Sequence, residues 1–305
     1  MVNKIGVVLM TYGSANTSAG VEAYFRHIYE NPSPEAIADF KNRYDLVGGS
    51  PLVRITKHQA VLLQKKLGKK YVVRSGMRHS KPFIADAVAS LKKANANEIR
   101  SIILSPQFSS FIMEGYKKDF TEAARANGFT NYMIAGPWPA DEHFVKLFAK
   151  RIKVKLSKLG KDTPVVFTTH SLPQRVVDTD PSYLKQLDQT IVAVRKQLPK
   201  INWYQGYQSA GHTPEEWLKP DLTDILADLA KKRQDKVLIV PIQFLSDHLE
   251  ILYDLDIAAR EQCNEFGIDY HRIELPNTDP LFIRSLEEIT KKAAPRLRGA
   301  RGRRI

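Results

Sequence analysis

Short apolar runs alternate with longer amphipathic segments from one end of this chain to the other. That alternation constrains the fold more than any single motif. The runs at 4–11, 71–77, 101–105, 132–135, 164–169, 203–208, 236–241 and 270–274 read as strands. The segment 56–67 between two of them reads as a helix, opening on Thr56 and Gln59 at capping-box spacing and closed by Gly68. Another helix is expected over 180–198, with Asp180 as N-cap, Pro181 as first helical residue, and Leu184, Leu187 and Ile191 on its apolar face.

Strands that alternate with helices predict an α/β fold with a mainly parallel sheet. The eight strands form two sets of four, and the segment 103–110 (ILSPQFSS) echoes 239–247 (IVPIQFLSD). The expected architecture is therefore two Rossmann-like domains with a cleft between them, each a four-stranded parallel sheet flanked by helices. They are placed at 1–150, with an insertion at 14–55, and at 151–290, followed by a basic tail at 291–305. A single eight-stranded barrel is the competing topology, and the long insertion between strands one and two argues against it. No Gly/Ser or Pro linker marks the division, so the halves are expected to pack closely. Gly48, Gly49, Ser50 and Pro51 read as a flexible end to the insertion.

Composition narrows the function. The 305 residues are 43% apolar and 26% charged, a globular balance. No apolar run approaches the ~20 residues of a membrane helix, and residues 1–10 lack the cleavage site of a secretory signal. A single cysteine, Cys263, builds no disulfide framework, Cys zinc site or iron–sulfur cluster within one chain. A reducing, cytoplasmic location is expected. The net charge is +13, but seven of the 46 basic residues lie in 291–305, which has no acid; the remaining 39 against 33 leave +6. No aromatics are interleaved with the tail's basic residues, so no nucleic-acid partner is expected. The tail reads as a solvated terminus or as a contact for an anionic membrane surface.

Ligands of open α/β sheets bind beyond the carboxyl ends of the strands. The polar residues there are Tyr12 and Gly13, Arg78 and His79, Gln107 to Ser110, His170 and Ser171, Gln208 and Ser209, and Asp247 to Glu250. No Gly-x-Gly-x-x-Gly follows a strand and no P-loop, Gly-x-Ser-x-Gly elbow or His-Glu-x-x-His helix occurs, which disfavours those chemistries. His170 follows its strand directly. An isolated His there is commonly structural, but Asp247, His248 and Glu250 share its half of the chain, and Asp254 lies one helical turn beyond Glu250. Asp247-x-x-Glu250 also fits a capping box. One His and two or three carboxylates suggest a divalent ion held loosely and exchangeably. The residues alone reach no further than a cleft protein that handles a divalent metal.

Several segments then share one resemblance, in the same order along nearly the whole chain. Thr169-His170-Ser171-Leu172-Pro173 with Asp178 and Pro181-Ser182-Tyr183 resembles a signature of the ferrochelatase family. So do Arg43-Tyr44 with Gly48-Gly49-Ser50-Pro51-Leu52, and Ser105-Pro106-Gln107-Phe108-Ser109. Gln208-Ser209 with Trp217-Leu218 and Pro220, and Phe244 through Asp254, complete the set. The resemblance implies insertion of Fe²⁺ into a porphyrin in haem biosynthesis, with iron as substrate and no permanently bound cofactor. It assigns His170 and Glu250 to catalysis and to the inner metal site, with Asp254 on the carboxylate row leading there. Tyr12, Arg43, Tyr44, Ser50 and Tyr116 take porphyrin-contacting positions. Tyr12-Gly13 resembles the Gram-positive type, acting on coproporphyrin III, where other relatives carry Asn-Leu-Gly. The implied partners are porphyrin, ferrous iron and transient contacts with haem-pathway enzymes, and the chain is expected to be monomeric. A protoporphyrin enzyme and a non-catalytic porphyrin carrier are the alternatives. The chain departs from the family at Asp180 (usually Gly), at Ala258 (a third acid of the row, for which Asp256 is the expected substitute), and at Tyr29 and Glu30. An Arg pair normally precedes the substrate segment at those last two positions, and Arg26 is the expected compensation. Arg78 and His79 are equally consistent with propionate contacts and with solvated loop residues.

Overall fold

The first strand, β1 (Lys4–Thr11), is apolar and buried along almost its whole length, as a central strand covered on both faces must be. The computed structural model describes residues 4–211 and 214–293. After β1 come a short 3₁₀ turn, α1 (Val21–Ile28), α2 (Pro34–Val47), α3 (Leu52–Leu67), β2 (Tyr71–Met77), α4 (Ile84–Lys93), β3 (Ala96–Ile103), α5 (Ser110–Ala126) and β4 (Tyr132–Ile134). A long α6 (Glu142–Leu159) leads into β5 (Val165–His170), α7 (Gln174–Thr179), α8 (Ser182–Lys196), β6 (Trp203–Gln208), α9 (Leu222–Lys231) and β7 (Lys236–Pro241). The π-helical segment Ile251–Ala259, α10 (Arg260–Glu265), β8 (Asp269–Arg272) and α11 (Pro280–Lys292) close the fold. Two separate parallel sheets form, ordered β2-β1-β3-β4 and β6-β5-β7-β8, so there is no barrel among the described residues.

The sequence misjudged several boundaries, each for a local reason. β3 starts at Ala96 because Arg100, charged but buried, pairs with Glu98 at 2.6 Å and donates to Thr290 O at 2.8 Å, which hides the strand from an apolar pattern. The helix expected to open at Thr56 opens at Leu52. Thr56 donates its hydroxyl to Leu52 O at 2.9 Å within that helix. The Gln59 side chain reaches out of the helix, donating to Ser246 Oγ at 2.9 Å and Asn277 O at 2.8 Å in the other half. Pro181 sits at the N-cap of α8, not at its first helical position. Residue 150, the expected division, falls inside α6.

The two halves share one core. A cluster containing Val7 and Leu9 of β1, Trp138, Phe144 and Phe148 around α6, Phe167 of β5 and Phe282 of α11 runs through both. Trp138 meets Phe144 edge-on at 5.4 Å. Burying an aromatic or aliphatic side chain of this size stabilises by about 1.5–3 kcal/mol, so this shared cluster resists separation of the sheets. α11 also returns to pack on α3 and β3.

The insertion is ordered and packs against the π-helical segment. Val21, Phe25, Ile37 and Tyr44 cluster with Leu249 and Tyr253. Gly48 and Gly49 form a tight left-handed turn (φ 72° and 96°) that ends α2, their amides bonding Asp45 O and Tyr44 O. A Cβ on Gly49 would sit 2.3 Å from Asn16 O, so close packing there demands glycine. The expected flexible joint is instead a fixed corner. Of the basic tail, Lys291 and Lys292 end α11, paired with Glu287 and Glu288; residues 294–305 lie outside the described residues.

Candidate active site

The carboxyl ends of both sheets open onto one cavity of about 470 Å³, a volume typical of small-molecule sites. Its first wall is aromatic: Tyr12, Tyr24, Phe25, Phe40, Tyr44 and Tyr116. Its second wall carries the polar groups His170, His248, Glu250, Gln243 and Ser246. Tyr12 follows β1 and His170 ends β5, the second strand in the order of each sheet, so equivalent places in the two sheets line one space.

The second wall is built around Glu250. His170 Nδ1 donates to Ser171 O at 2.5 Å, and His248 Nδ1 donates to Ser246 O at 3.0 Å. Carbonyls only accept, so both rings carry hydrogen on Nδ1 and turn Nε2 inward. Those two Nε2 atoms stand 3.7 Å and 3.5 Å from the same Glu250 Oε2. Both distances exceed ordinary hydrogen bonds. His170 is fixed further by its backbone N–H, which donates to Gln243 Oε1 at 2.9 Å. Burial works to raise the Glu250 pKa, but the charges of His170 and then His248 outweigh it and hold the group down to about 2. Burial likewise works to lower His248, and the Glu250 carboxylate outweighs it and raises that pKa. Glu250 is therefore an anion across the working pH range, beside an imidazole biased toward holding a proton. The capping-box reading of Asp247 and Glu250 fails: Asp247 is tied to Asn277, with its N–H donating to Oδ1 at 2.9 Å and its Oδ2 accepting from Nδ2 at 2.6 Å.

Asp254 stands on the same π-helical segment but outside the cavity lining. It accepts from the Ser209 hydroxyl and lies 4.0 Å from Arg43. Burial and the Glu250 charge raise its pKa. Asp256 does not replace the acid missing at Ala258. It is held by Arg272 in a bidentate pair at 2.6 Å and 2.7 Å, and that pairing removes it from any ion path. Among the described residues no three His, Cys, Asp or Glu side chains close a ready-made metal cage. His170 Nε2 and the Glu250 carboxylate face the cavity with a donor set suited to a borderline divalent cation, while His248 is held against Glu250.

Of the other residues selected from sequence, Tyr12, Tyr44 and Tyr116 line the cavity, whereas Arg43 and Ser50 do not. Arg43 bonds Asp39 at 2.8 Å and stacks on Tyr253 and Phe40. Ser50 lines a neighbouring pocket. Tyr12 is 42% exposed at the rim, and its ring lies 4.4 Å from that of His79. Burial chiefly raises its pKa, so the phenol keeps its proton. Tyr44, largely through burial, is pushed up to about 12. Gly13 (φ 95°) sets this rim: a Cβ there would meet Ser80 Oγ at 2.5 Å. His79 is held down to about 4 by burial, Arg78 and His27, whose Nδ1 is 3.1 Å away. Arg78 is bound to Asp119 at 3.0 Å. Arg26 does not compensate for the missing Arg pair, because it pairs with Glu22 at 3.0 Å on the exposed side of α1. Sequence reasoning missed Gln243, and it named His248 beside Glu250 without giving it a role. Their signal was proximity to Glu250 and the repeated Gln-Phe loop.

Fold and cavity together define a two-domain α/β protein that presents a His–carboxylate wall to a flat aromatic one. Solved chelatases share this architecture. SirB from Bacillus subtilis with Fe³⁺ superposes at TM-score 0.62 with 10% identity, covering 96% of each chain. CbiX, the terminal enzyme of sirohaem biosynthesis in denitrifying bacteria, superposes at 0.58 with 14% identity, covering 96% of this chain and all of the other. At those identities the likeness is one of fold. The chain belongs to the ferrochelatase family, whose model matches residues 4–294. Proteins named coproporphyrin III ferrochelatase are similar along nearly their whole length. That from Halalkalibacterium halodurans is 36% identical over 95% of this chain and 97% of its own, and that from Bacillus subtilis is 33% identical over the same shares. The chain is thus a metal-chelating lyase acting on a porphyrin and ferrous iron.

Proposed function

We propose that this chain inserts Fe²⁺ into coproporphyrin III, giving the iron coproporphyrin of haem biosynthesis. One observation carries the mechanism: two imidazole Nε2 atoms and one depressed carboxylate converge on the face of a cavity whose opposite wall is aromatic. A planar porphyrin fits between such walls. Its nitrogens hold two protons and lie in the ring plane, so metallation requires both protons to leave and the lone pairs to tilt toward iron. Binding energy spent on bending the ring favours that geometry. His170 Nε2, turned into the cavity by the Nδ1 bond to Ser171 O, is the atom that accepts a pyrrole proton. Glu250, ionised beside His248, balances the incoming dication. Iron passes through as substrate and leaves in the product, and an open wall with so few ligands suits an exchangeable ion. Asp254 and Ser209 supply an acidic step beside that wall. Tyr12, on the aromatic side, is placed to approach iron from the opposite face. The coproporphyrin assignment is supported by Tyr12-Gly13 and by the names of the relatives. The single buried thiol, Cys263, suits a reducing cytoplasm.

Anaerobic mixing of the purified chain with Fe²⁺ and either coproporphyrin III or protoporphyrin IX, followed by absorption, tests this. Faster metallation of coproporphyrin III is expected. Metallation of neither porphyrin would remove the enzymatic reading, and a preference for protoporphyrin would remove the substrate assignment.

A further inference from the structure

The segment 242–250 joins β7 to the π-helical segment and carries Gln243, Ser246, His248 and Glu250 into the cavity. It forms no strand, so no sheet ladder fixes it. Its geometry depends on bonds from outside. Leu245, Ser246 and Asp247 are held by two residues that do not line the cavity: Gln59 of α3, and Asn277 between β8 and α11.

Every polar group of Asn277, backbone and side chain, is engaged in this brace. Its N–H donates to Leu245 O at 2.8 Å, and its Nδ2 donates to Asp247 Oδ2 at 2.6 Å. Its Oδ1 accepts from the Asp247 N–H at 2.9 Å. Its carbonyl accepts from Gln59 Nε2 at 2.8 Å, and the same Nε2 donates to Ser246 Oγ at 2.9 Å. Asn277 stands at φ 46°, left-handed backbone that asparagine adopts more readily than most residues with a Cβ. Gln59 is fully buried on a helix of the first half, so the brace reaches from that half into the second. The braced residues lead directly to the reactive groups. Ser246 O, flanked by these bonds, accepts from His248 Nδ1 at 3.0 Å and so aims His248 Nε2 at Glu250 Oε2, 3.5 Å away. Arg272 anchors the far side: its guanidinium holds Asp256, beyond Glu250, and lies 3.5 Å from Asp247 Oδ1.

We infer that Asn277 and Gln59 are positioning residues for the reaction: they fix the Ser246 carbonyl, and through it the His248 imidazole that holds Glu250 where ferrous iron enters. The inference rests on the proposed role of Glu250 and deepens it. A small displacement of a reacting group lowers the rate steeply. Neither residue touches the cavity, so porphyrin affinity should hold while kcat falls. A bond that only joins the halves, such as that of Gln107 to Thr190, lacks this signature.

The test measures, on the full chain, steady-state metallation of coproporphyrin III by Fe²⁺, affinity for the metal-free porphyrin by fluorescence, and Tm. Asn277→Gly removes the two side-chain bonds and leaves the left-handed backbone unstrained. Its kcat is expected to fall about tenfold, with porphyrin affinity and the KM for porphyrin within about twofold of wild type. Gln59→Met keeps length and burial without the donor and should lower kcat about threefold; it decides the question by itself if Asn277→Gly does not fold. Asn277→Asp sets two carboxylates against each other and should lose more than Asn277→Gly. The swap Asp247→Asn/Asn277→Asp restores the amide–carboxylate pair in reverse and should recover most of kcat. Gln107→Leu, at the seam, should lower Tm without that fall in kcat. Unchanged kcat in either Asn277→Gly or Gln59→Met would overturn the positioning role. So would an equal fall in porphyrin affinity, the same kcat loss in Gln107→Leu, or no recovery in the swap. Glu250→Gln is measured alongside. Full turnover there would fail the reading of the wall itself, whereas its expected loss beside a fully active Asn277→Gly would fail the positioning alone.

Discussion

The two Gln-Phe loops look alike in the sequence and do different work in the fold. Each follows the third strand of its half, and the two sheets have the same order. In the second half, Gln243 accepts the His170 N–H at 2.9 Å and faces the cavity. In the first, Gln107 is fully buried and donates to Thr190 Oγ1 at 2.7 Å across the seam between the halves. Its neighbour Phe108 exchanges two backbone bonds with the Gln186 amide, at 2.9 Å and 3.1 Å. The same residue at the same topological point thus orients a reactive imidazole in one half and joins the halves in the other. What differs is the neighbour: β5 ends on His170, whereas β1 runs out to Tyr12 at an open rim.

That contrast can be broken in order of effect. His170→Ala should cut kcat/KM for metallation by about 10²–10⁴, the usual worth of a positioned acid–base group, with Glu250→Gln close behind; stopped-flow absorption checks both. If either variant turned over like wild type, the reactive wall would have to be sought elsewhere. Gln243→Leu strands a buried N–H at a cost of about 1–3 kcal/mol and should lower kcat/KM by roughly tenfold through a misplaced ring. Gln107→Leu loses a bond of the same kind at the seam. There the expected effect is on stability, a Tm lower by about 2–6 °C, with activity within about threefold of wild type. Equal kinetic losses at both glutamines would erase the distinction between the loops.

The smallest expected effect concerns Asp180, which accepts from the Ser110 N–H and hydroxyl at the start of α5 and from the Ser182 N–H and hydroxyl at the start of α8. The Ser110 amide first, then Ser182, hold its carboxyl well below the usual range. A depressed acid contributes stability that is fully present above its unfolded pKa, ~3.9, and that is lost as pH falls through the folded value. Asp180→Ala should therefore lower Tm modestly at pH 7, and the gap should narrow steadily below about pH 4. A gap that stayed constant down to pH 2 would show that the charge is not what links α5 to α8.

Much of the architecture was legible because period and alternation are local. Four of the eight strands, β1, β2, β6 and β7, match their expected bounds, and the parallel sheets follow from the helices between them. Features resting on one side chain's distant partner were not legible. Gln59 has capping-box spacing from Thr56 and yet spans to Asn277; Arg100 looks exposed and is buried; Asp256 looks free beside Ala258 and belongs to Arg272. His248 was visible as a residue but not as the second imidazole on Glu250, because that convergence depends on where Nδ1 finds its carbonyl.

The sequence by itself determined two four-stranded α/β halves, the strand ends at which chemistry must sit, and a His–carboxylate pairing suited to a divalent ion. Only the tertiary structure decided which charged side chains are held away from the site by distant partners. Folding brings Asp119 to Arg78 and Arg272 to Asp256, because charge pairing depends on distance in space.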